Sequence, residues 1–465
     1  MARRSWLVGV LAVLAFAQTL AYYVYLRDDP GNYNGAGAQG DQVAYIELAQ
    51  QVLHGTWQGA VHYMPGLPAV IAASQVVSGD PRLGIAVVQG LVYALVVLLA
   101  ARLAAAAFGE ATAVWAAGAV GLNPALGYYA AQALTESLTA AGLLALVSVV
   151  FAWSRRTGPA AGLEGDAGAR LRAGLGMTAL AGLLVACLGY LRAEYLGLAV
   201  VFALVLVWPD RWRVGLAHAT VLVAVTALAM APWVVRYAVA TGNPALYNES
   251  PFSNLVLMGT WFRVFDEQTF AELQQIETAP GPRDEAIQRA SGVGPRPELS
   301  QRYMQQARGP YERPLGETLG LALGNVQLNL RQYLVNHLVL APVLIWAGHT
   351  PVRQADAPHL PASGRYAIWA AELALLALAL WQALLAPRAG RRGSSAVDHN
   401  AGSAAAVGLS FIAIVLFLTA VHVVIAVDER FTTPALPLVG LLAGARLASL
   451  RPSFGLVLAS SRRPT

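Results

Sequence analysis

Two acidic side chains in this sequence stand where a membrane protein could use them for chemistry. Asp41 opens a short amphipathic segment directly after the first apolar stretch, and Glu136 stands at the entry of a later apolar stretch. A carboxylate held just outside a bilayer can act as a general base, and the positive end of a helix would keep it ionised. The alternatives are a simple helix cap for Asp41 and an interfacial acid, or the partner of an arginine, for Glu136.

Three arginines form the second group of candidates. Arg192, Arg236 and Arg430 each lie near the end of an apolar stretch. A guanidinium grips phosphate through paired hydrogen bonds and keeps its charge at neutral pH, so these side chains indicate an anionic, phosphate-bearing ligand. The alternative is that they only extend to the membrane interface, and Glu194 is a nearby partner for Arg192.

The composition is that of a polytopic membrane protein. Of 465 residues, 57% are hydrophobic and 12% are charged, whereas soluble domains carry about 25% charged residues. The net charge of +5 fits cytoplasmic loops, and no nucleic-acid partner is expected. Cys187 is the single cysteine, which excludes an intrachain disulfide and a cysteine-cluster metal site, and the histidines lack metal-ligand spacing.

The predicted fold is all-α and integral to the membrane, with about ten transmembrane helices of about 20 residues each. Placing the arginine clusters in the cytoplasm puts both termini inside and requires no adjustment of this count. The count includes the stretches 112–130 and 194–208, of which 194–208 is short for a transmembrane helix. The predicted spans are 5–26, 83–107, 112–130, 133–153, 173–191, 194–208, 214–235, 365–386, 403–426 and 432–449.

This topology leaves the candidate residues on the outer side. A first outer loop at 27–82 holds two surface helices, at 41–54 and 65–78, and the long region 236–364 holds a membrane-dipping helix at 329–346. We therefore divide the chain into a catalytic membrane module (1–235), an extracytoplasmic region (236–364) and C-terminal transmembrane helices (365–465).

Several short motifs, taken in order, resemble one known family. They lie at residues 41–45, 63–68, 123–124 with 134–138, 232–236 and 430–437. Together they resemble the glycosyltransferase C superfamily of multi-span membrane enzymes. The likeness is to the bacterial branch related to protein O-mannosyltransferases and the lipid A aminoarabinose transferase. One departure is Gln42, where many relatives carry a second acid or a histidine.

The resemblance implies a role for each candidate. Asp41 would be the catalytic acid of the first outer loop, and Glu136 the second acidic site. The three arginines would hold the donor phosphate, while His62, Tyr63 and Tyr45 would line the sugar pocket. No cofactor is required, although Asp41 and Glu136 could share a divalent cation through their oxygens.

The sequence thus predicts an integral-membrane inverting glycosyltransferase of a bacterial cell membrane. It would move a hexose or pentose from a polyprenyl-phosphate donor to a hydroxyl of a protein, lipid or cell-envelope glycan on the extracytoplasmic face. The alternatives are a polytopic transporter or lipid flippase, and a non-catalytic assembly protein on the same fold.

Overall fold

A computed structural model of the chain describes most of the membrane-embedded part. The residues described are 2–27, 41–57, 63–157, 167–207, 212–242, 244–246, 256–257, 259–260, 306, 315–328, 330–348, 361–389, 399–425 and 431–450.

Helices make up the described part of the chain, in which no strand occurs. In chain order they are α1 (Ala2–Arg27), α2 (Asp41–His54), α3 (Gly66–Ser78), α4 (Pro81–Phe108), α5 (Thr112–Gly121), α6 (Pro124–Ala130), α7 (Glu136–Thr157), α8 (Ala167–Leu191), α9 (Leu198–Val207), α10 (Trp212–Thr241), α11 (Leu315–Leu328), α12 (Leu330–Val335), α13 (Ala341–Val343), α14 (Ala362–Ala389), α15 (His399–Ile425) and α16 (Leu436–Leu450). Short 3₁₀ turns precede α9 and α16, at Ala193–Gly197 and Thr433–Ala435.

Within the described ranges, eight helices are long and apolar enough to cross a membrane, which confirms the all-α membrane fold. They are α1, α4, α7, α8, α10, α14, α15 and α16, the last together with its preceding 3₁₀ turn. These eight coincide with eight of the ten predicted spans.

The other two predicted spans are shorter than expected, for identifiable reasons. The stretch 112–130 breaks at Asn123, whose backbone is extended and whose side chain accepts from the amide of Leu126 at 3.1 Å, capping α6. Pro124 enforces this break because proline disfavours a helical residue before it. In the stretch 194–208, helix α9 begins late, because an extended Arg192 and the 3₁₀ turn Ala193–Gly197 precede it, and α9 has only 10 residues.

The region predicted to dip into the membrane at 329–346 is helical but irregular. Two π turns, Asn336–Leu340 and Leu344–Gly348, flank α13, which contains Pro342. Proline removes a backbone donor, and the wider π turns accommodate that loss.

The helices alternate in direction, so the bundle has two chemically different ends. At one end, Gly66 of α3 abuts the backbone of Tyr190 near the end of α8, and Asn123 contacts Glu372 near the start of α14. We call this the site end. It also holds the starts of α2, α4 and α7.

The opposite end carries the arginines. Trp153 near the end of α7 packs against His218 near the start of α10, and Gly174 near the start of α8 lies beside both. We call this the arginine-rich end, because these helix termini carry Arg155, Arg156, Arg170, Arg172 and Arg213.

Small residues hold the helices close in the centre of the bundle. A Cβ added to Gly444 of α16 would lie 2.4 Å from the backbone nitrogen of Ala116 in α5. Membrane helices depend on such close approach, since lipid supplies little hydrophobic drive for their association.

We therefore expect Gly444→Ala to lower the free energy of unfolding by about 1–3 kcal/mol, because the added methyl must displace backbone. The matched control is Gly118→Ala on α5, where a Cβ meets nothing within 4 Å. Thermal unfolding in detergent measures both, and equal melting temperatures for the two variants would contradict this packing.

Candidate functional site

Asp41 is the first residue of α2 and lies against two tyrosines. The hydroxyl of Tyr63 donates to Oδ1 of Asp41 at 2.9 Å, and the rings of Tyr45 and Tyr63 pack with centroids 4.7 Å apart. Burial, and then the nearby charge of Asp41, raise the pKa of Tyr45 well above its ordinary value. Tyr45 therefore stays a neutral hydroxyl beside the acid.

The amphipathic pattern of α2 is what positions Asp41. Tyr45, Leu48 and Ala49 form its buried face, part of which packs against Leu67 and Ile71 of α3. The helix ends before Gly55, whose φ of +66° suits glycine. With its apolar face buried, α2 lies at the site end with its N-terminus and Asp41 beside Tyr63.

Glu136 and Arg192 meet near this tyrosine pair. Nη1 of Arg192 lies 3.9 Å from Oε1 of Glu136, and Nε of Arg192 lies 2.5 Å from Oε1 of Glu194. The charges of Asp41, Arg192 and Glu136 each act on the pKa of Tyr45. The two predicted acidic sites lie at the same end of the bundle, because Gln42, next to Asp41, accepts a hydrogen bond from the amide of Ala133, three residues before Glu136.

Arg192 is neutralised by its carboxylate partners. Burial alone would lower its pKa, but the charge of Glu194, with smaller contributions from Tyr195 and Glu136, acts in the opposite direction, and the pKa is raised. On another side, the guanidinium carbon lies 4.9 Å from the ring centre of Phe431, and that ring stacks on His422 at 4.1 Å. Arg192 thus contacts two carboxylates and one aromatic ring.

Arg236 occupies a different environment beside the same site. Its Nη2 donates to the carbonyl oxygen of Trp57 at 3.2 Å, and its guanidinium carbon lies 5.0 Å from the Trp57 ring centre. Trp57 stacks on Trp233 at 5.2 Å, and Tyr63 packs against the cluster that contains both tryptophans. Arg236 is exposed, and no carboxylate in the described part of the chain forms an ion pair with it.

Two predicted site residues, His62 and Arg430, lie outside the described residues. Among those described, no group of three or more histidine, cysteine or acidic side chains is placed to hold a metal ion. Asp41 and Glu136, whose charges act on Tyr45, provide carboxylate oxygens at this end of the bundle.

One acid at this end was not predicted from the sequence. Oε1 of Glu372, in α14, lies 3.4 Å from Nδ2 of Asn123, the residue that breaks 112–130. The signal was available, because a lone acid inside the predicted span 365–386 is costly unless it has a partner. What the sequence could not supply was the partner, 249 residues away.

Comparison with known proteins identifies the fold. No protein-family model and no curated protein matches the chain. Among solved structures, the archaeal oligosaccharyltransferase AglB from Archaeoglobus fulgidus, in complex with an inhibitory peptide and a dolichol-phosphate, matches with a TM-score of 0.51 and 14% identity, covering 100% of this chain and 53% of that chain.

Two further solved structures were matched, the second with a lower TM-score. The same Archaeoglobus fulgidus enzyme in complex with Zn and sulfate matches with a TM-score of 0.50 and 15% identity, over 97% of this chain and 51% of that one. ArnT from Cupriavidus metallidurans, bound to undecaprenyl phosphate, gives a TM-score of 0.35 and 17% identity, covering 97% of this chain and 81% of that chain. The chain spans about half the length of the oligosaccharyltransferase, and the likeness is one of fold, the all-α membrane fold expected from the sequence.

We expect Arg192→Gln to destabilise the site end strongly. Glu136 has a side chain only 2% exposed, and removing one partner of a buried ion pair costs about 3–5 kcal/mol. Adding Glu136→Gln to this variant should recover part of the loss, since no uncompensated charge then remains at that position.

Thermal unfolding of the purified protein provides the measurement, with Arg331→Gln at an exposed position as the control. If the Arg192 variant unfolds at the temperature of the control, the ion pair does not stabilise the site end.

Proposed function

We propose that this protein is an integral-membrane inverting glycosyltransferase that moves a sugar from a polyprenyl-phosphate donor to an acceptor hydroxyl on the extracytoplasmic face. The observation that carries the proposal is the carboxylate of Asp41. It begins a surface helix, accepts a hydrogen bond from Tyr63 and lies at the end of the bundle opposite the arginine clusters.

The orientation in the membrane follows from charge. Cytoplasmic loops are enriched in arginine and lysine, so the arginine-rich end faces the cytoplasm and the site end faces outward. The proposed location is a cell membrane, with the division into residues 1–235, 236–364 and 365–465 retained as predicted.

The proposed reaction needs a base but no strong acid. Asp41 accepts the proton of the acceptor hydroxyl, and the oxygen attacks the anomeric carbon of the donor sugar from the face opposite the phosphate. The bond between the anomeric carbon and the phosphate oxygen breaks, its electron pair leaves with the phosphate, and the anomeric configuration inverts. Phosphate is a good leaving group, so catalysis rests on the base and on charge stabilisation.

Arg236 is the best placed of the described arginines for the donor phosphate. Two carboxylates already balance Arg192, whereas Arg236 contacts a carbonyl and an aromatic ring and is exposed. We assign phosphate binding to Arg236, with Arg430 as a second candidate, and propose that Glu136 acts by holding Arg192. Tyr45, Tyr63 and His62 would line the sugar pocket.

The structural neighbour supports a lipid-phosphate donor. The archaeal oligosaccharyltransferase was solved with a dolichol-phosphate and an inhibitory peptide. By analogy of fold, the donor here is a sugar, hexose or pentose, on a polyprenyl phosphate, and the acceptor is a protein, lipid or glycan. That neighbour was also solved with Zn; a divalent cation between Asp41 and Glu136 is compatible with the proposal, although no step requires it.

A transporter or flippase is the second candidate, and the charge distribution opposes it. Transporters place charged residues near the bilayer midplane between repeated halves. Here Asp41, Glu136, Glu194 and Arg192 all lie at helix ends on one side of the bundle.

We expect Asp41→Asn to reduce sugar transfer by about 10²–10⁴-fold, because the amide cannot accept the proton. The matched control is Asp80→Asn, since Asp80 also begins a helix at the site end, where it caps α4 by accepting from Arg82 and Leu83 at 2.7 and 3.3 Å. Asparagine caps equally well, so that variant should transfer at the wild-type rate.

Transfer is measured in membranes supplied with a radiolabelled polyprenyl-phosphate sugar pool and native acceptors. Wild-type transfer by the Asp41 variant would remove Asp41 as the base. Transfer by neither the wild type nor any variant, from any polyprenyl-phosphate sugar, would remove the enzyme proposal itself.

A further inference from the structure

Three glutamines connect the helix that carries Asp41 to the turn that leads to Glu136. Nε2 of Gln42, the residue after Asp41, donates to Oε1 of Gln132 at 2.8 Å. Oε1 of Gln42 accepts from the amide of Ala133 at 3.1 Å. From the other side, Nε2 of Gln89 in α4 donates to the carbonyl oxygen of Gln132 at 2.8 Å.

Gln42 needs an amide side chain to make both of its bonds. One end of the side chain accepts a hydrogen bond from a backbone amide while the other donates to a carbonyl oxygen, and an ionised carboxylate only accepts. Gln42, which stands where many relatives of the resembled family carry a second acid or a histidine, therefore makes a pair of hydrogen bonds that an ionised acid could not make.

The turn held by these glutamines sets the position of the second acid. Gln132 lies four residues before Glu136, which begins α7 and reaches Arg192. Gln89 is fully buried in α4, a long helix of the central bundle, so it provides a rigid anchor for the turn. Asp41 is bonded covalently to Gln42, and the Gln42 side chain is joined by two parallel hydrogen bonds to the turn that leads to Glu136.

We propose that Gln42, Gln132 and Gln89 are positioning residues that hold Asp41 at a fixed separation from the Glu136–Arg192 pair. This inference rests on the proposed function and deepens it. Asp41 acts as the base only when its carboxylate stands at the correct distance from the donor phosphate and sugar, and small displacements of a catalytic group cost large factors in rate.

The test is Gln42→Asn, whose amide keeps its chemistry but is one methylene too short to reach both partners. The matched control is Gln50→Asn on the same helix, because Gln50 makes an equivalent bond to Gln75 of α3 at 2.7 Å, two turns away from Asp41. We expect the Gln42 variant to lose about 10–100-fold in kcat per folded molecule with an unchanged KM for the donor, and the control to keep its kcat.

Gln42→Glu provides a second readout, which a purely structural role would not affect. Its carboxylate adds a negative charge beside Asp41, and a like charge disfavours ionisation. The acidic limb of the pH profile of kcat should therefore move to higher pH, whereas Gln50→Glu should leave it in place.

A distance measurement keeps the inference testable without activity. Spin labels at Glu47 and Leu122, both exposed, report the separation of α2 from the end of α5 after Cys187 is replaced by alanine. The distance distribution should broaden in the Gln42→Asn variant and stay narrow in the Gln50→Asn control.

Two results would overturn the inference while leaving the proposed function intact: equal kcat values for the Gln42 and Gln50 asparagine variants, or a raised donor KM at unchanged kcat, which would make Gln42 a substrate contact. If the wild-type protein transfers no sugar, the proposed function is wrong. If the spin-label distances of the Gln42→Asn variant are also unchanged, the positioning role is wrong as well.

Discussion

The guanidinium of Arg192 joins separate segments of the chain at the site end of the helix bundle. Glu136 begins α7 and Glu194 follows α8, and each would be a poorly solvated anion without a cation between them. Phe431, just before α16, completes the enclosure by packing its ring against the same guanidinium. Glu136 and Phe431, which are distant from Arg192 in the chain, are therefore brought to the same charge as the neighbouring Glu194.

The site illustrates a constraint that membranes impose on catalysis. Acids and arginines are costly among lipid tails, so they collect at helix ends, where water and partners are available. Surface helices such as α2 then hold charged side chains such as Asp41 in fixed positions, which loops alone would not do. Here α2 presents Asp41, Tyr63 orients it, and the aromatic cluster around Trp57 carries Arg236 beside it. Tyr63, which donates to Asp41, also packs against the aromatic cluster that Arg236 contacts, so the proposed base and the proposed phosphate ligand lie near each other.

Most of the bundle could be predicted from length and hydropathy, because lipid exposure demands long apolar helices. The amphipathic stripe also predicted α2 with its start at Asp41. The break at Asn123 escaped prediction although Pro124 signalled it, since the apolar run continues through it. Pairings such as Asn123 with Glu372, or Gln42 with Gln132, depend on how distant helices pack and leave no local pattern. The role of Arg192 needed the same information: its charge was visible in the sequence, but its two carboxylate partners and the aromatic ring were not all adjacent in the chain.

The most direct measurement is a single-particle structure of the protein in lipid nanodiscs with bound undecaprenyl phosphate. We expect the phosphate at the site end beside the guanidinium of Arg236, with the carboxylate of Asp41 facing the same cavity. A phosphate bound at the arginine-rich end, or packed side chains separating Asp41 from it, would show that the proposed site is wrong.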